Sequence, residues 1–331
     1  MSENKHTKTD LLQMQSLPLS AKINMSKVRI RDWYDYWGGQ VYVSFSGGKD
    51  STVLKHLVES TVGDVPSLFV NTGLEYPEIQ KFAMSQPNVV TIRPEKRFDE
   101  VIKEYGYPVV SKEVSDTVNG ARNSIKKGVD SFRLKKMRGE LLDKDGNYSA
   151  YNVSKKHRHL LDAPFKISSN CCNIMKKKPS KQYENETGRK PYIGTMAQES
   201  RLRQTEWFKN GCNAFDKGRP SSQPLSFWTE QDILQYIKDF NLEYCSIYGE
   251  IVEEDTQVSF IGEKVPKLST TGAKRTGCMF CMFGMSQDGC PNRFQKMKET
   301  HPNQYKYCMK DVEDGGLGLK KVLEFMGEAY E

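Results

Sequence analysis

A short β-branched and aromatic run, Val41-Tyr-Val-Ser-Phe45, leads without a break into Ser46-Gly47-Gly48-Lys49-Asp50-Ser51. Val53, Leu54, Leu57 and Val58 then follow at the spacing of one helix face. Strand, glycine turn and helix is the order this pattern predicts. Ser67-Leu-Phe-Val-Asn71 and Val89-Val-Thr-Ile92 are further buried-strand candidates, each separated by enough chain for a helical crossover. Alternation of this kind predicts an α/β fold, a doubly wound and mainly parallel sheet covered on both faces.

Around that centre the chain divides into three stretches. Residues 1–38 read as a helical leader, in which Ile23, Val28, Ile30, Trp33 and Trp37 offer an apolar face. Residues 39–240 hold the strand and helix alternation, with a late strand at Tyr192-Ile-Gly194, a helix through Glu199–Phe208, and Thr229 as N-cap of a helix in a capping-box-like start with Asp232. Residues 241–331 are turn-rich and cysteine-rich and end on a helical pattern over Leu319–Tyr330. Apolar runs are far shorter than the roughly 20 residues of a membrane span, and the first residues lack a secretory signal. The expected compartment is the cytoplasm, with no membrane partner.

Charge is uneven. The net charge is +7, yet residues 122–181 alone carry 16 Lys and Arg against 5 Asp and Glu, so the remainder is net acidic. This stretch, with a turn signal at Lys144-Asp-Gly-Asn147, reads as a basic insertion in the α/β domain. Its lysine runs suit a polyanion such as nucleic acid, the plainer reading being a solvated face. In a reducing compartment eight cysteines do not imply disulfides. Cys212 and Cys245 stand alone and read as core residues. Adjacent Cys171-Cys172 and the pair Cys278-Met-Phe-Cys281 are spaced to bind metal.

Two glycines between a strand and a helix allow a tight turn, and the amides at the helix start then point outward with partial positive charge. Lys49 adds a cation, and Ser46 and Ser51 add hydroxyls at the same rim, which suits phosphate. The Walker spacing is absent.

Ser46-Gly-Gly-Lys-Asp-Ser51 resembles the PP-loop of the N-type ATP pyrophosphatases, an adenine nucleotide alpha hydrolase-like fold. Further segments resemble the phosphoadenosine phosphosulfate (PAPS) reductase family within that superfamily: Val70-Asn-Thr-Gly-Leu-Glu-Tyr-Pro77, Gly194-Thr-Met-Ala-Gln-Glu-Ser200 with Arg203, and Pro224-Leu-Ser-Phe-Trp-Thr229 with Asp232. The resemblance implies that Ser46, Gly47, Gly48, Lys49, Asp50 and Ser51 hold ATP, which is cleaved between its α and β phosphates to adenylylate a substrate. It implies Mg²⁺ near Asp50 or Glu75, Arg203 at the α-phosphate, and Glu199 orienting Arg203 or the ribose. The plain alternatives are a helix cap for Glu75 and a surface pair for Glu199 and Arg203. CC followed far downstream by CxxC resembles the four-cysteine [4Fe–4S] arrangement of adenylyl-sulfate reductases, implying Cys171, Cys172, Cys278 and Cys281 as ligands. Cys290 is a substitute for one of the adjacent pair, and zinc is the rival metal.

Two departures separate this chain from sulfonucleotide reductases. Its PP-loop is intact, and residues 282–331 contain no Glu-Cys-Gly-Leu-His segment. In addition, Met196 stands where the family motif has arginine. The reading that follows is an ATP-dependent, iron–sulfur sulfurtransferase, with tRNA or DNA as a candidate acceptor and a sulfur donor such as a cysteine desulfurase. The alternatives are a PAPS or adenylyl-sulfate reductase releasing sulfite, and a non-catalytic nucleotide- or nucleic-acid-binding regulator.

Overall fold

The computed structural model describes residues 4–258 and 264–331. The chain forms two compact units. The first contains Met1–Asn71, Glu75–Arg93 and Pro179–Thr276, and the second Thr72–Leu74, Pro94–Lys178 and Gly277–Glu331.

The first unit is built on a six-stranded sheet: β1 (Val41–Ser44), β2 (Ser67–Val70), β3 (Val89–Ile92), β4 (Lys190–Ile193), β5 (Asn213–Ala214) and β6 (Ser221–Ser222), in the order β3-β2-β1-β4-β6-β5. All neighbours are parallel except β5 with β6. β1 and β2 fall where the apolar runs predict them, because a strand buried on both faces reads as a continuous apolar segment. β3 and β4 also form where expected, but β3, read as buried, is an edge strand with Val90 and Thr91 exposed. Val41 and Val43 enter a core with Val53, Leu54, Leu57 and Val58 of the helix Lys49–Val62. Tyr42, pointing the other way, donates to Glu184 Oε1 at 2.7 Å and meets the Tyr183 ring edge-on. Both faces are therefore covered, as in a doubly wound fold.

Strand order reverses at β1, whose neighbours β2 and β4 both follow it in sequence yet lie on opposite sides of it in the sheet. In open α/β sheets the crevice at such a switch point, beyond the carboxyl ends of the strands, is where ligands bind. Ser46–Ser51 follows β1, and Gly194 follows β4. A Cβ on Gly194 would stand 3.2 Å from the Asp50 carbonyl oxygen, so these two loops meet.

The leader is part of this unit. It forms helices Lys8–Ser16 and Leu19–Tyr36, and Leu11, Ile30 and Trp33 are buried in the same core as β1. Lys22 pairs with Asp232 at 2.7 Å in the interior. Asp232 also closes the expected capping box, accepting from Thr229 N–H while Thr229 Oγ1 accepts from Asp232 N–H. One expected face residue is misplaced: Val28 is 51% exposed. The stretch beyond Leu242, read as turn-rich, contains an antiparallel pairing of Ile251–Val258 with Lys264–Thr270.

The second unit takes in the basic stretch and the C-terminal cysteines, so the expected boundaries at 38/39 and 240/241 do not coincide with the two units. Val109–Val110 pairs in parallel with Met282–Phe283, joining its two main segments. The turn at 144–147 is present, with Asp143 Oδ1 accepting the amides of Asp145 and Asn147. Several basic residues serve the fold itself. Arg122 donates to the carbonyls of Leu160, Leu161, Ala163 and Phe165, Arg158 to that of Val153, and Lys136, Lys156 and Lys178 pair with Glu113, Glu328 and Glu95. The last helix, Leu319–Met326, is shorter than its sequence pattern.

Candidate functional site

In the first unit, Gly47 takes φ +73°, and a Cβ there would lie 3.0 Å from both Ile79 Cγ2 and the Ile79 carbonyl oxygen. Only glycine meets both conditions. Gly48 is the N-cap of the helix Lys49–Val62 and offers no side chain to the cap, so the first helical amides are left for other acceptors. Ser51 Oγ closes the turn by donating to the Gly48 carbonyl at 2.8 Å and accepts from Ser46 N–H at 3.2 Å. Ser46 is exposed at the rim, while Lys49 and Ser51 are buried.

Charged groups converge on this turn. Lys49 Nζ lies 3.3 Å from Glu230 Oε1 and 3.8 Å from Asp50 Oδ1. Asp50 Oδ1 is buried with no hydrogen-bond donor, and burial pushes the Asp50 carboxyl above its ordinary range, against the pull of Lys49, Arg275 and Arg203. Such an oxygen is a natural ligand for a hard cation, so Mg²⁺ fits here. Burial and the neighbouring Arg275 push the Arg203 guanidinium down, with Asp50 opposing.

Arg203 pairs with Glu199, whose Oε2 also accepts from Met196 N–H at 2.8 Å. The i, i+4 pair read from the sequence therefore forms, and it also ties the turn after β4 to the helix Arg201–Asn210. Met196, in the place of the family's arginine, is buried in the core. Glu75 is buried just beyond β2, and the N-cap of the following helix is Tyr76, without a side-chain bond.

Three residues that the sequence reading missed also border the loop. Tyr248 accepts from Lys49 N–H at 3.2 Å, Thr276 hydrogen-bonds the Tyr248 hydroxyl at 2.6 Å, and Arg275 is an exposed cation within electrostatic range of Asp50 and Arg203. All lie more than 190 residues from the loop, where no local pattern links them to it.

In the second unit, Cys171, Cys172, Cys278 and Cys281 line one cavity of about 350 Å³, part of it open to solvent, together with Phe98, Met175, Lys176 and Phe280. A tight turn presents the downstream pair, Cys281 N–H donating to the Cys278 carbonyl at 3.1 Å. Arg293, paired with Asp288, donates to the Cys281 carbonyl at 2.9 Å and fixes the turn from behind. Cys172 directly precedes a π-helical turn, Asn173–Lys177, of the kind that often marks a functional position.

The adjacent thiols differ in acidity. The Sγ atoms of Cys171 and Cys172 are 4.0 Å apart. The hydrogen bond from Cys171, together with Lys112, Lys176 and Lys177, pulls the Cys172 thiol below the ordinary range against the cost of burial, while Cys171 is pushed up by the same contact and by burial. Burial also pushes Cys281 up. Cys290 is exposed and does not line the cavity. Cys212 and Cys245 are core residues of the first unit. Among the described residues, no three His, Cys, Asp or Glu side chains are arranged to hold a single metal ion.

Residues 40–140 and 140–282 match the family model of the phosphoadenosine phosphosulfate reductase domain, well over half of the chain. The chain belongs to this family. As a phosphoadenosine phosphosulfate reductase domain protein it has further, more limited likenesses. The uncharacterized proteins MJ0973 and MJ0066 of Methanocaldococcus jannaschii are 31% identical over 86 residues and 36% identical over 85, in each case 24% of this chain. The chain covers 21% and 18% of their lengths, about a fifth of these relatives.

Among solved structures, phosphoadenylyl-sulfate reductase from Candida auris is 14% identical with a TM-score of 0.37, over 74% of this chain and 92% of that one. The U34-tRNA thiolase NcsA from Methanococcus maripaludis, solved with its [4Fe–4S] cluster, is 14% identical with a TM-score of 0.34, over 68% and 66%. Overlaps of this size assign no function. No helix among the described residues is long and apolar enough to cross a membrane.

Proposed function

We propose that this family member binds ATP on Ser46–Ser51, cleaves it to AMP and pyrophosphate, and adenylylates a substrate for sulfur transfer. The observation that carries the reading is the intact glycine loop at the switch point of the sheet, bordered by Lys49, Arg203 and Arg275 and by a buried carboxylate oxygen without a donor. The loop amides and Lys49 would hold the β and γ phosphates. A substrate oxygen attacks the α-phosphorus as the bond to the bridging oxygen breaks, and pyrophosphate leaves with the electron pair. Arg203 would offset charge at the α-phosphate, with Glu199 orienting it. Catalysis of this kind is positioning and charge stabilisation. Mg²⁺, held by Asp50, would neutralise phosphate charge.

Four thiols lining one cavity beside Lys176, which offsets negative charge, suit a thiolate-bound metal centre, and the resemblance to adenylyl-sulfate reductases favours a [4Fe–4S] cluster over zinc. Cys171, Cys172, Cys278 and Cys281 would hold the cluster, which would supply an iron–sulfide centre for handling sulfur or electrons. The outward lysines of the basic stretch support a polyanionic acceptor such as tRNA or DNA.

The reading is tested by incubating anaerobically reconstituted protein with ATP labelled at the α-phosphate and candidate RNA or DNA. Unlabelled pyrophosphate is expected with the label carried into the acceptor, then released as AMP once a sulfide donor is added, and the absence of these products with every acceptor sinks the proposal. Family membership favours one other reading, a sulfonucleotide reductase, which would release sulfite from PAPS or adenylyl sulfate without consuming ATP.

A further inference from the structure

The loop's first helical amide is already taken by a side chain from a distant part of the same unit. Lys49 N–H donates to the Tyr248 phenol oxygen at 3.2 Å, and that oxygen is held from its other side by Thr276 Oγ1 at 2.6 Å. The Tyr248 ring lies 5.3 Å from the Lys49 ammonium, which donates to the Lys274 carbonyl at 3.0 Å. Tyr248 is only 2% exposed, and a Cβ on Gly48 would stand 3.1 Å from its hydroxyl. A small, uncharged oxygen therefore rests against the glycine turn, on an amide that a phosphate oxygen would otherwise accept.

We propose that Tyr248 is a phosphate surrogate: held by Thr276, its phenol oxygen satisfies the Lys49 amide while no nucleotide is bound and yields that amide to a phosphate oxygen of the entering polyphosphate. The exchange is one of acceptors. The bond from Lys49 N–H to the phenol breaks, a bond from Lys49 N–H to phosphate forms, and the phenol keeps its proton. Burial pushes the Tyr248 hydroxyl up to about 12, so at neutral pH it is an uncharged acceptor, weaker than an anionic phosphate oxygen. Tyr248 is then a positioning residue that keeps the cradle in its ligand-ready shape and sets the affinity for the polyphosphate tail. The Lys274 carbonyl acts alike on the Lys49 side chain. This inference rests on the reading that the loop binds ATP.

Calorimetric titration of the full chain, wild type and Tyr248→Phe, with inorganic pyrophosphate and with α,β-methylene ATP tests it. Tyr248→Phe leaves the amide without its acceptor, so pyrophosphate should bind about two- to tenfold more tightly while the melting temperature of the unliganded protein falls. A purely structural tyrosine would lower both. Thr276→Val, which leaves the ring in place but loosens the hydroxyl, should shift affinity the same way by less. Unchanged or weaker binding by Tyr248→Phe, with wild type binding normally, overturns the surrogate role alone. Wild-type protein that binds neither ligand overturns the ATP reading and the surrogate role with it.

Discussion

Lys49 is the residue on which the proposed chemistry depends most directly. Its ammonium is buried against Asp50, Glu230 and the Lys274 carbonyl, so its loss removes the one cation built into the loop. Lys49→Ala should lower pyrophosphate release at least 100-fold, measured with γ-labelled ATP, an effect of about 2.7 kcal/mol at the transition state. Arg275 is exposed, so Arg275→Ala should raise KM for ATP several-fold and leave the melting temperature within about 1 °C. For Cys172, the hydrogen bond from Cys171 and the nearby lysines hold the thiol below the ordinary range. In metal-free protein its iodoacetamide labelling should level off at a lower pH than that of an ordinary thiol, which is still gaining near 8.5. Cys172→Ser should remove that early phase. At this scale the sequence carried the loop residues and the cysteines, because the loop is contiguous and the cysteines fall in two close pairs. It was silent on Tyr248, Arg275 and Thr276, which reach the loop only through the fold.

Among the elements, β1 with its loop and helix was legible because three signals agree: a buried β-rich run, two glycines and a one-sided apolar helix. Gly47 carries the geometric burden, so Gly47→Ala should destabilise the protein by about 1–3 kcal/mol and open the loop, read by denaturant titration and by weaker pyrophosphate binding. The capping box at Thr229 was equally plain, but its second task was hidden, since only the folded structure brings Lys22 of the leader to Asp232. Lys22→Ala would leave a buried carboxylate unpaired and should cost about 3 kcal/mol, which makes the leader a stabilising part of the first unit. Two-residue strands such as β5 and β6 gave no pattern to read. Val28 shows the limit of periodicity: its spacing fits the apolar face, yet the helix presents it to solvent.

On the scale of the whole chain, neither of the two units is a single continuous run of sequence, and this is why linear boundaries misjudged them. Residues 277–331 draw their partner strand from Val109–Val110 and their cysteine partners from Cys171-Cys172. A fragment of residues 241–331 made alone should therefore show no cooperative melting by circular dichroism. The full chain reconstituted with iron and sulfide should lose most bound iron in Cys278→Ser and Cys281→Ser but keep it in Cys290→Ser; loss in the last would restore Cys290 as a ligand. The basic stretch carries a related lesson. Arg122 spends its guanidinium on four carbonyls, and several of its neighbours are tied to glutamates. A nucleic acid lying along this surface would displace fewer counterions than a tally of its lysines and arginines suggests, so complex formation should weaken only gently as ionic strength is raised.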